Sequence, residues 1–249
     1  MQEITTLMMV TYNRLDLTKK TINHLKESIK IPCNLVVVDN KSEDETFAYL
    51  CDLGTELPKP FEKIDIISLG ENRGIAKGRN IALQRADELK TKWYCTIDND
   101  VMMPEGWLSE CIDILKRNRE YGIIGVNMEN KQYPIITKNG CSFQNKPQGN
   151  LGTACMVFKK QVHQMIGFFN TEYGQYGEED ADFGMRTRVA GFKLGYICKM
   201  GTHLGADESE VSEYRKFKTK QHADNLALFQ QNCALYAQRR KPLYISYVE

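Results

Sequence analysis

The sequence predicts an α/β fold, in which a mostly parallel central sheet carries helices on both faces and a C-terminal helical extension follows. Short apolar runs bounded by polar residues alternate with helical periodicity through residues 1–100, which is typical of βαβ units. The length of 249 residues fits one to two domains at roughly 150 residues each. The composition, 42% hydrophobic and 26% charged, is ordinary for a globular protein.

Four strands and three helices are predicted in the first half of the chain. The strands are TTLMMV (5–10), NLVVVD (34–39), KIDIISL (63–69) and WYCTID (93–98). The first helix is predicted from the spacing of Thr18, Ile22, Leu25 and Ile29. The second is predicted from the capping-box spacing of Ser42 and Glu45, with Gly54 as its end. The third is predicted from Ile75, Ala82, Ala86 and Leu89.

The alternation of apolar strand-like runs with helical periodicity is weaker beyond residue 100. A helix is predicted around Pro104–Arg117, and strands are predicted near residues 121–128 and 154–160. The Gly-, Asn- and Lys-rich stretch over 138–152 predicts a flexible loop. A C-terminal helix that packs against the body is predicted from five side chains at helical spacing, His222, Leu226, Phe229, Cys233 and Tyr236.

The charge balance and the cysteine spacing exclude few functions but limit the protein class. Thirty-three Lys and Arg against 32 Asp and Glu give a net charge of +1, which neither requires nor excludes a nucleic-acid partner. No run approaches the roughly 18 apolar residues of a membrane span, and the N-terminus lacks a signal-peptide layout. The eight cysteines include no CxxC pair for zinc or redox chemistry. We therefore expect a cytoplasmic protein whose cysteines are buried free thiols.

Polar segments follow all four predicted strands of the first half. They are TYNR (11–14), Asp39, ENRGIAKGRN (71–80) and DND (98–100). Each alone could be a turn or a solvated helix start, but ligands of open α/β sheets bind at the carboxyl ends of the strands. We therefore expect the four segments to converge on one crevice. The GxGxxG and GxxxxGK[ST] motifs are missing from the sequence, which disfavours a dinucleotide enzyme or a P-loop ATPase.

Two further groups of side chains could carry chemistry. The alternating carboxylates of DND suit a divalent ion that bridges a diphosphate, because such an ion prefers hard oxygen ligands. Glu178, Glu179, Asp180 and Asp182 precede Arg186; they could complement a helix dipole, or one could be a general base. His203 could be structural, or it could be a nitrogen ligand that shifts the preferred ion from Mg²⁺ toward Mn²⁺.

Six motifs in this order strongly resemble family 2 glycosyltransferases of the GT-A fold. They are MMVTYNR, VVVDNKSEDET, ENRGIAKGRN, TIDNDVMMPEGW, EEDADFGMRTRVAGFKLGYI and THLG, and the resemblance covers roughly residues 4–205. It implies an enzyme that moves a sugar from a nucleotide diphosphate donor to a hydroxyl, with inversion and with Mn²⁺ or Mg²⁺. UDP-sugar is the favoured donor, because the residue at the position of Asp39 commonly pairs with a pyrimidine.

Carried over by position, the resemblance implies roles for individual residues. The nucleotide-sugar site would comprise Thr11, Asn13, Arg14, Asp39, Asn72, Lys77, Arg79 and Asp98. Asp98, Asp100 and His203 would bind the metal, and Asp180 would be the catalytic base. Glu179, Gly152 and Thr153 would lie on the acceptor side, and the extra acid Glu178 leaves the choice of base open.

The expected organisation is a GT-A catalytic domain over residues 1–205, followed by a polar loop and helix over 206–249. The catalytic domain would divide into a nucleotide-sugar half, 1–103, and an acceptor half, 104–205. Two alternatives stay open: a nucleotidyltransferase acting on sugar phosphates, and a non-catalytic nucleotide-sugar-binding module. A nucleotidyltransferase would usually carry a glycine-rich loop near its N-terminus, and TYNRLD is not one.

The acceptor is expected to be a saccharide or a glycan carrier. A polyanion, such as DNA with a hydroxylated base, ranks second. That second interpretation depends on the cations Arg215, Lys216, Lys218 and Lys220, which could instead be the solvated end of a helix.

Overall fold

A computed structural model describes residues 4–128, 131–151, 154–205 and 213–247, with the side chains of the last range described from residue 216 onward. The predictions for Gly152, Thr153, the polar loop over 206–212 and the Arg215 side chain therefore lie outside the described residues. Within the described ranges, no helix combines the length and apolar character needed to cross a bilayer.

The described residues form eleven strands and seven α-helices. The strands are β1 (Thr5–Thr11), β2 (Cys33–Asp39), β3 (Phe61–Ser68), β4 (Trp93–Ile97), β5 (Val101–Met102), β6 (Tyr121–Asn127), β7 (Ile135–Lys138), β8 (Cys141–Lys146), β9 (Cys155–Lys159), β10 (Lys193–Met200) and β11 (Thr202–His203). The helices are α1 (Leu15–Ser28), α2 (Thr46–Glu56), α3 (Ile75–Glu88), α4 (Trp107–Arg117), α5 (Lys160–Ile166), α6 (Glu179–Val189) and α7 (Glu213–Ala237).

Nine of the described strands form one mixed sheet in the order β3-β2-β1-β4-β9-β6-β10-β8-β7. The first four are parallel, whereas β9 runs antiparallel to both β4 and β6. The strands β5 and β11 form a separate antiparallel pair. Because β1, β2 and β4 are parallel, their carboxyl ends reach the same edge of the sheet, as the sequence predicts.

Helices cover both faces of the sheet, and the strand sequences explain why. Along β1, Leu7 and Met9 belong to the core under α1, α2 and α4, whereas Met8 belongs to the core under α3, α5 and α6. Side chains alternate between the faces of a strand, so a strand buried on both faces reads as a continuous apolar run. The strand β2 is buried at every position.

Two local predictions were wrong. The helix α2 begins at Thr46 rather than at a Ser42–Glu45 capping box, because the Ser42 hydroxyl donates to Asp39. Gly54 lies inside α2, which continues to Glu56.

The predicted flexible loop over 138–152 was also wrong, since it contains β8, which pairs with β10. Phe143 explains the strand, because its ring is fully buried against Tyr121, with ring centroids 4.9 Å apart. All eight cysteines lie in described residues and are free thiols, but only four are buried: Cys51 and Cys198 are exposed, and Cys141 and Cys233 are partly buried.

The C-terminal helix is confirmed, and it packs on α6 through a buried polar network. The Asp182 carboxylate, which is fully buried, forms an ion pair with Arg186, also fully buried. The hydroxyls of Tyr173 and Tyr236 donate to Asp182 Oδ2 at 2.9 and 3.0 Å. Because Tyr236 belongs to α7, this network attaches the C-terminal helix to the body.

Candidate active site

A cavity of about 610 Å³ opens where β1 and β4 end, and α6 and α7 complete its wall. Residues from separate parts of the chain line it, including Thr11, Tyr12, Arg14, Asn40, Asn72, Arg79, Asp98, Asn99, Asp100, Asn150, Gln175, Tyr176, Glu178, Glu179, Asp180, His203, Phe217, Lys218 and His222. The strand-end segments therefore converge on one crevice. Asn13, Asp39 and Lys77 are not among its lining residues.

Asn13 and Asp39 connect the loops that border this cavity. The Asp39 carboxylate is buried and accepts hydrogen bonds from Thr11 Oγ1 at 3.1 Å and from Ser42 N at 3.0 Å. Asn13 donates its backbone N–H to Ser42 Oγ at 2.7 Å and accepts from Glu43 N at 2.8 Å. In this structure both side chains hold the loop after β1 against the loop after β2.

Two asparagines, Asn40 and Asn72, shape the loop after β3. Asn40 Nδ2 donates to Asn72 Oδ1 at 2.8 Å, and Asn40 Oδ1 accepts from Arg73 N at 2.9 Å. Gly74 has a φ of 81°, and a Cβ there would lie 2.6 Å from Gln175 Cα. Only glycine fits both the backbone angle and the close approach, so the start of α3 packs directly against the segment before α6.

Asp98, Asp100 and His203 form a cluster in which one ligand atom from each lies within 4.8 Å of the others. The antiparallel pair β5–β11 produces this arrangement, since it places His203 opposite Val101. The backbone N–H of Leu204 donates to the carbonyl of Asp100 at 2.7 Å. Two carboxylates and an imidazole suit a divalent ion such as Mn²⁺ or Mg²⁺, so these residues fit the metal that the resemblance implies.

Burial and neighbouring charges shift the pKa values of the two aspartates in opposite directions. The pKa of Asp98 is raised, because burial of the carboxylate and the negative charge of Asp100 outweigh the positive charge of Arg79. At Asp100, desolvation is outweighed by the His203 hydrogen bond and by the charges of His203 and Arg14, so its pKa is lowered. Arg14 Nη1 lies 3.1 Å from Asp100 Oδ2. An added cation would relieve the repulsion between the two carboxylates.

Arg79 joins the Asp98–Asp100–His203 cluster to the start of α6. Its guanidinium is almost fully buried and donates to Asp98 Oδ1 at 3.0 Å and to Glu179 Oε1 at 2.8 Å. Burial, and next the charge of Asp180, raise the pKa of Glu179 to about 7. Arg79 therefore positions two carboxylates. Only the cation in KGRN could have indicated this bridge before the structure.

The carboxylates at the start of α6 lie in different environments. Glu178 Oε1 lies 2.9 Å from Nδ1 of His222 on α7, and Glu179 contacts Arg79. Asp182 is fully buried beneath α7 and does not line the cavity. Asp180 lines the cavity and is only partly buried.

Two lining residues of α7, Phe217 and His222, were missed as site residues by sequence reasoning, whereas Lys218 belongs to the cation cluster that the sequence analysis names. Phe217, Lys218 and His222 line the cavity, and Lys218 Nζ lies 4.9 Å from the centroid of the Tyr176 ring. The spacing of four between Lys218 and His222 is the available signal, because it places both on one helix face. Lys216 and Lys220 are exposed and are not among the lining residues, whereas Lys218 is.

Comparisons with known structures agree with this fold. Residues 1–349 of S. aureus TarS in complex with UDP align with a TM-score of 0.61 and 17% identity, over 80% of this chain and 59% of that one. The mannosyltransferase PcManGT from Pyrobaculum calidifontis, in complex with GDP-Man and Mn²⁺, aligns with a TM-score of 0.63 and 16% identity, over 94% and 74%. The alignment thus spans about three fifths of that TarS chain. At such identities the likeness shows the fold, which is GT-A.

A search of curated protein sequences found no significant match. The model of glycosyl transferase family 2 matches residues 6–161. That match covers more than half of the chain and includes β1 to β9, with the DND segment that borders the cavity. The chain belongs to glycosyl transferase family 2.

Proposed function

We propose that the protein transfers a sugar from a nucleotide diphosphate donor to an acceptor hydroxyl, with a divalent ion and with inversion at the anomeric carbon. The observation that carries the proposal is that the Asp98–Asp100–His203 cluster and Asp180 border the same cavity. A donor whose diphosphate lies at the cluster would extend its sugar toward the start of α6.

The proposed metal site comprises Asp98, Asp100 and His203. A bound Mn²⁺ or Mg²⁺ would act as a Lewis acid for the leaving diphosphate. Arg79 supports this site, because it holds Asp98 in place while also contacting Glu179. Gly205 is part of the same arrangement, since a Cβ there would lie 2.9 Å from Asp100 Oδ2 and 2.8 Å from Arg14 Nη2.

Asp180 is the proposed catalytic base. Asp180 lines the cavity and is only partly buried, whereas Glu178 and Glu179 are buried, and this greater exposure to the cavity supports Asp180 as the carboxylate that meets the acceptor. A carboxylate is too weak a base to ionise an alcohol beforehand, so the proton must move as the new bond forms. Such general-base assistance is typically worth about 10²–10⁴-fold in rate.

The donor is proposed to be a UDP-sugar, held by Thr11, Asn13, Arg14, Asp39, Asn72, Lys77, Arg79 and Asp98. The TarS complex with UDP supports uridine, whereas the PcManGT complex holds GDP-Man. Thr11, Arg14, Asn72, Arg79 and Asp98 line the cavity. Asn13 and Asp39 would act through the loops that they hold, and Lys77 would need a different side-chain position to reach the donor.

The acceptor is proposed to be a saccharide or a glycan carrier, bound on the side of Glu179, Gly152 and Thr153. Residues 1–205 are proposed as the catalytic domain, and 206–249 as an extension that packs on it. The contact between α7 and α6 supports that arrangement, because α7 contributes to the cavity wall.

A screen of nucleotide sugars tests the proposal, since many transferases slowly transfer the sugar to water. We expect release of a nucleoside diphosphate and free sugar from at least one donor, in the presence of Mn²⁺ and not in excess chelator. Asp100→Ala should abolish this release while leaving the circular dichroism spectrum unchanged. Release of pyrophosphate from a nucleoside triphosphate and a sugar phosphate would instead identify a nucleotidyltransferase. Binding of donor without turnover of any acceptor would indicate a non-catalytic module.

A further inference from the structure

A second cavity, of about 760 Å³, opens at the edge of the sheet opposite the candidate active site. It lies where β4 begins, since its lining residues Trp93 and Lys159 are directly paired at the start of β4 and the end of β9. The candidate active site lies where β4 ends, and the two cavities share no lining residue among those described. A volume of roughly 300–1,000 Å³ is typical of small-molecule sites.

The described lining of this second cavity is cationic. Its charged members are Lys92, Lys116, Arg119 and Lys159, and no acidic side chain is among the described lining residues. The four come from different places in the chain: the residue before β4, the last turn of α4, the turn before β6 and the end of β9. A solvated helix face would have drawn its cations from one element. Lys92, Lys116 and Arg119 are exposed and Lys159 is partly buried. Lys92 and Lys116 also have other partners, so the ligand contacts are assigned to Arg119 and Lys159.

The ammonium of Lys159 is held by two hydrogen bonds and keeps one further N–H donor. Its ammonium donates to the backbone carbonyl of Asn118 at 3.3 Å and to that of Arg119 at 3.0 Å. An ammonium has three N–H donors, so two positions are fixed and one can serve a ligand. Burial lowers the pKa of Lys159 to about 8, an effect that Glu120 only partly opposes. Glu120 does not line the cavity and is paired with Lys138.

We propose that this second cavity binds a small phosphate-bearing ligand of up to nucleotide size. Arg119 and Lys159 would donate to its phosphate oxygens, since guanidinium and ammonium groups form strong charge-assisted hydrogen bonds with phosphate. Phe192, which also lines the cavity and is partly buried, offers an apolar wall for the remainder of the ligand. A guanidinium and an ammonium that donate to the same group favour a multiply charged phosphate over a single carboxylate. The site is independent of the transferase reaction proposed above.

The two tryptophans of the chain provide a direct readout. Trp93 lines the second cavity, whereas Trp107 is fully buried and lines neither cavity. In protein labelled with ¹⁵N-tryptophan, the two indole signals can be assigned with Trp93→Phe. Inorganic pyrophosphate is titrated in excess chelator, so that no metal can carry it to the first cavity. We expect a saturable shift of the Trp93 signal with a Kd below about 1 mM, while the Trp107 signal stays in place.

Three variants separate the second cavity from the first. Lys159→Gln and Arg119→Gln should each raise the Kd about tenfold or more, which is the value of one charge-assisted hydrogen bond. If Lys159→Gln disturbs the turn at Asn118 and Arg119 that Lys159 holds, Arg119→Gln still tests the proposal. Lys218→Gln removes a cation of the first cavity and should leave the Kd unchanged.

Four outcomes would overturn the proposal. The Trp93 signal could fail to respond to pyrophosphate, or the affinity could be unaltered in Arg119→Gln. Loss of the response in Lys218→Gln would place the pyrophosphate in the first cavity. Binding to phosphatidylglycerol vesicles without a Trp93 response to pyrophosphate would replace the small ligand by a membrane surface, which also contradicts the proposal.

Discussion

Four carboxylates lie within five residues at the start of α6, and each meets a different neighbour. Asp182 is fully buried against Arg186, and Glu179 is buried against Arg79. Glu178 faces His222 from α7. Asp180 lines the cavity that also contains the Asp98–Asp100–His203 cluster. Sequence spacing alone left open which carboxylate is the base, because the partners of these side chains come from distant parts of the chain.

Replacing the proposed base should separate chemistry from binding. Asp180→Asn is expected to lower kcat at least about 10²-fold, the lower value for loss of a general base, while the Kd of the donor nucleotide changes little. Steady-state kinetics with a transferred acceptor and calorimetry with the nucleotide measure the two effects. Glu178→Gln is the matched control, since it neutralises another carboxylate of the cavity. If Glu178→Gln were the crippling change instead, Asp180 would not be the base.

The affinity for the metal should depend on pH through His203. Its pKa is raised, chiefly by the hydrogen bond with Asp100 and also by the charges of Asp100 and Asp98. An imidazole must be neutral to bind a metal, so Mn²⁺ affinity should be full above this raised pKa and should fall as the pH drops through it. Calorimetric titrations from about pH 8 down to about pH 5.5 measure the decline.

His203→Gln provides the comparison for the pH series. This variant should bind Mn²⁺ more weakly at high pH, but less severely than Asp100→Ala, because one of about six ligands is lost. Its affinity should also vary less with pH than that of the wild-type protein. An identical pH dependence in both proteins would show that His203 does not bind the metal.

Among the secondary-structure elements, the helix α7 supplies one wall of the cavity. Lys218 acts electrostatically on both Asp100 and His203, so its charge lies near the proposed diphosphate position. Lys218→Gln should raise the Kd of the donor about tenfold, as measured by calorimetry with Mn²⁺. Lys220→Gln removes the same charge from an exposed position of the same helix and should leave donor binding unchanged.

Two variants of exposed lysines on α7, Lys216→Gln and Lys220→Gln, distinguish the acceptor classes. A saccharide acceptor predicts that Lys220→Gln and Lys216→Gln leave the acceptor KM unchanged. If either variant raised the KM and flattened its dependence on salt, a polyanionic acceptor would be favoured.

Equal losses of donor affinity in Lys218→Gln and Lys220→Gln would contradict a specific position for Lys218.

The attachment of α7 depends on a buried charge pair, which gives a prediction for stability. Asp182→Asn keeps the shape of the side chain but leaves the fully buried Arg186 without its counter-charge. Removing one partner of such a pair typically costs about 3–5 kcal/mol, and chemical denaturation should show a loss of this size. Asp224→Asn, on the exposed face of α7, should change the free energy of unfolding by less than about 0.5 kcal/mol. If Asp182→Asn also lowered the free energy of unfolding by less than about 0.5 kcal/mol, the Asp182–Arg186 pair would not anchor the helix.

At the scale of the whole molecule, sequence reasoning succeeded where a strand is buried on both faces. The runs around Leu7, Val36 and Cys95 are continuous and apolar, so β1, β2 and β4 could be predicted along with the crevice at their ends. Sequence reasoning failed at β8, because only Phe143 and Gln144 of that strand are buried and the surrounding composition resembles that of a loop.

Other features could not be predicted because they depend on tertiary contacts. The pairing of β5 with β11 brings Asp100 and His203 together across a long separation in sequence. The Arg79 bridge and the orientation of Lys218 toward the cavity likewise follow from how distant elements pack. The residue types could be predicted, but their partners could not.

The central claim is that one cavity binds a nucleoside diphosphate through a metal held by Asp98, Asp100 and His203. Calorimetric titration with UDP and with GDP, each in saturating Mn²⁺ and in excess chelator, tests it most directly. We predict that at least one nucleotide binds with one-to-one stoichiometry, that Mn²⁺ strengthens its binding about tenfold or more, and that Asp100→Ala removes the enhancement. Equal affinity with and without Mn²⁺, or no binding of either nucleotide, would contradict the account.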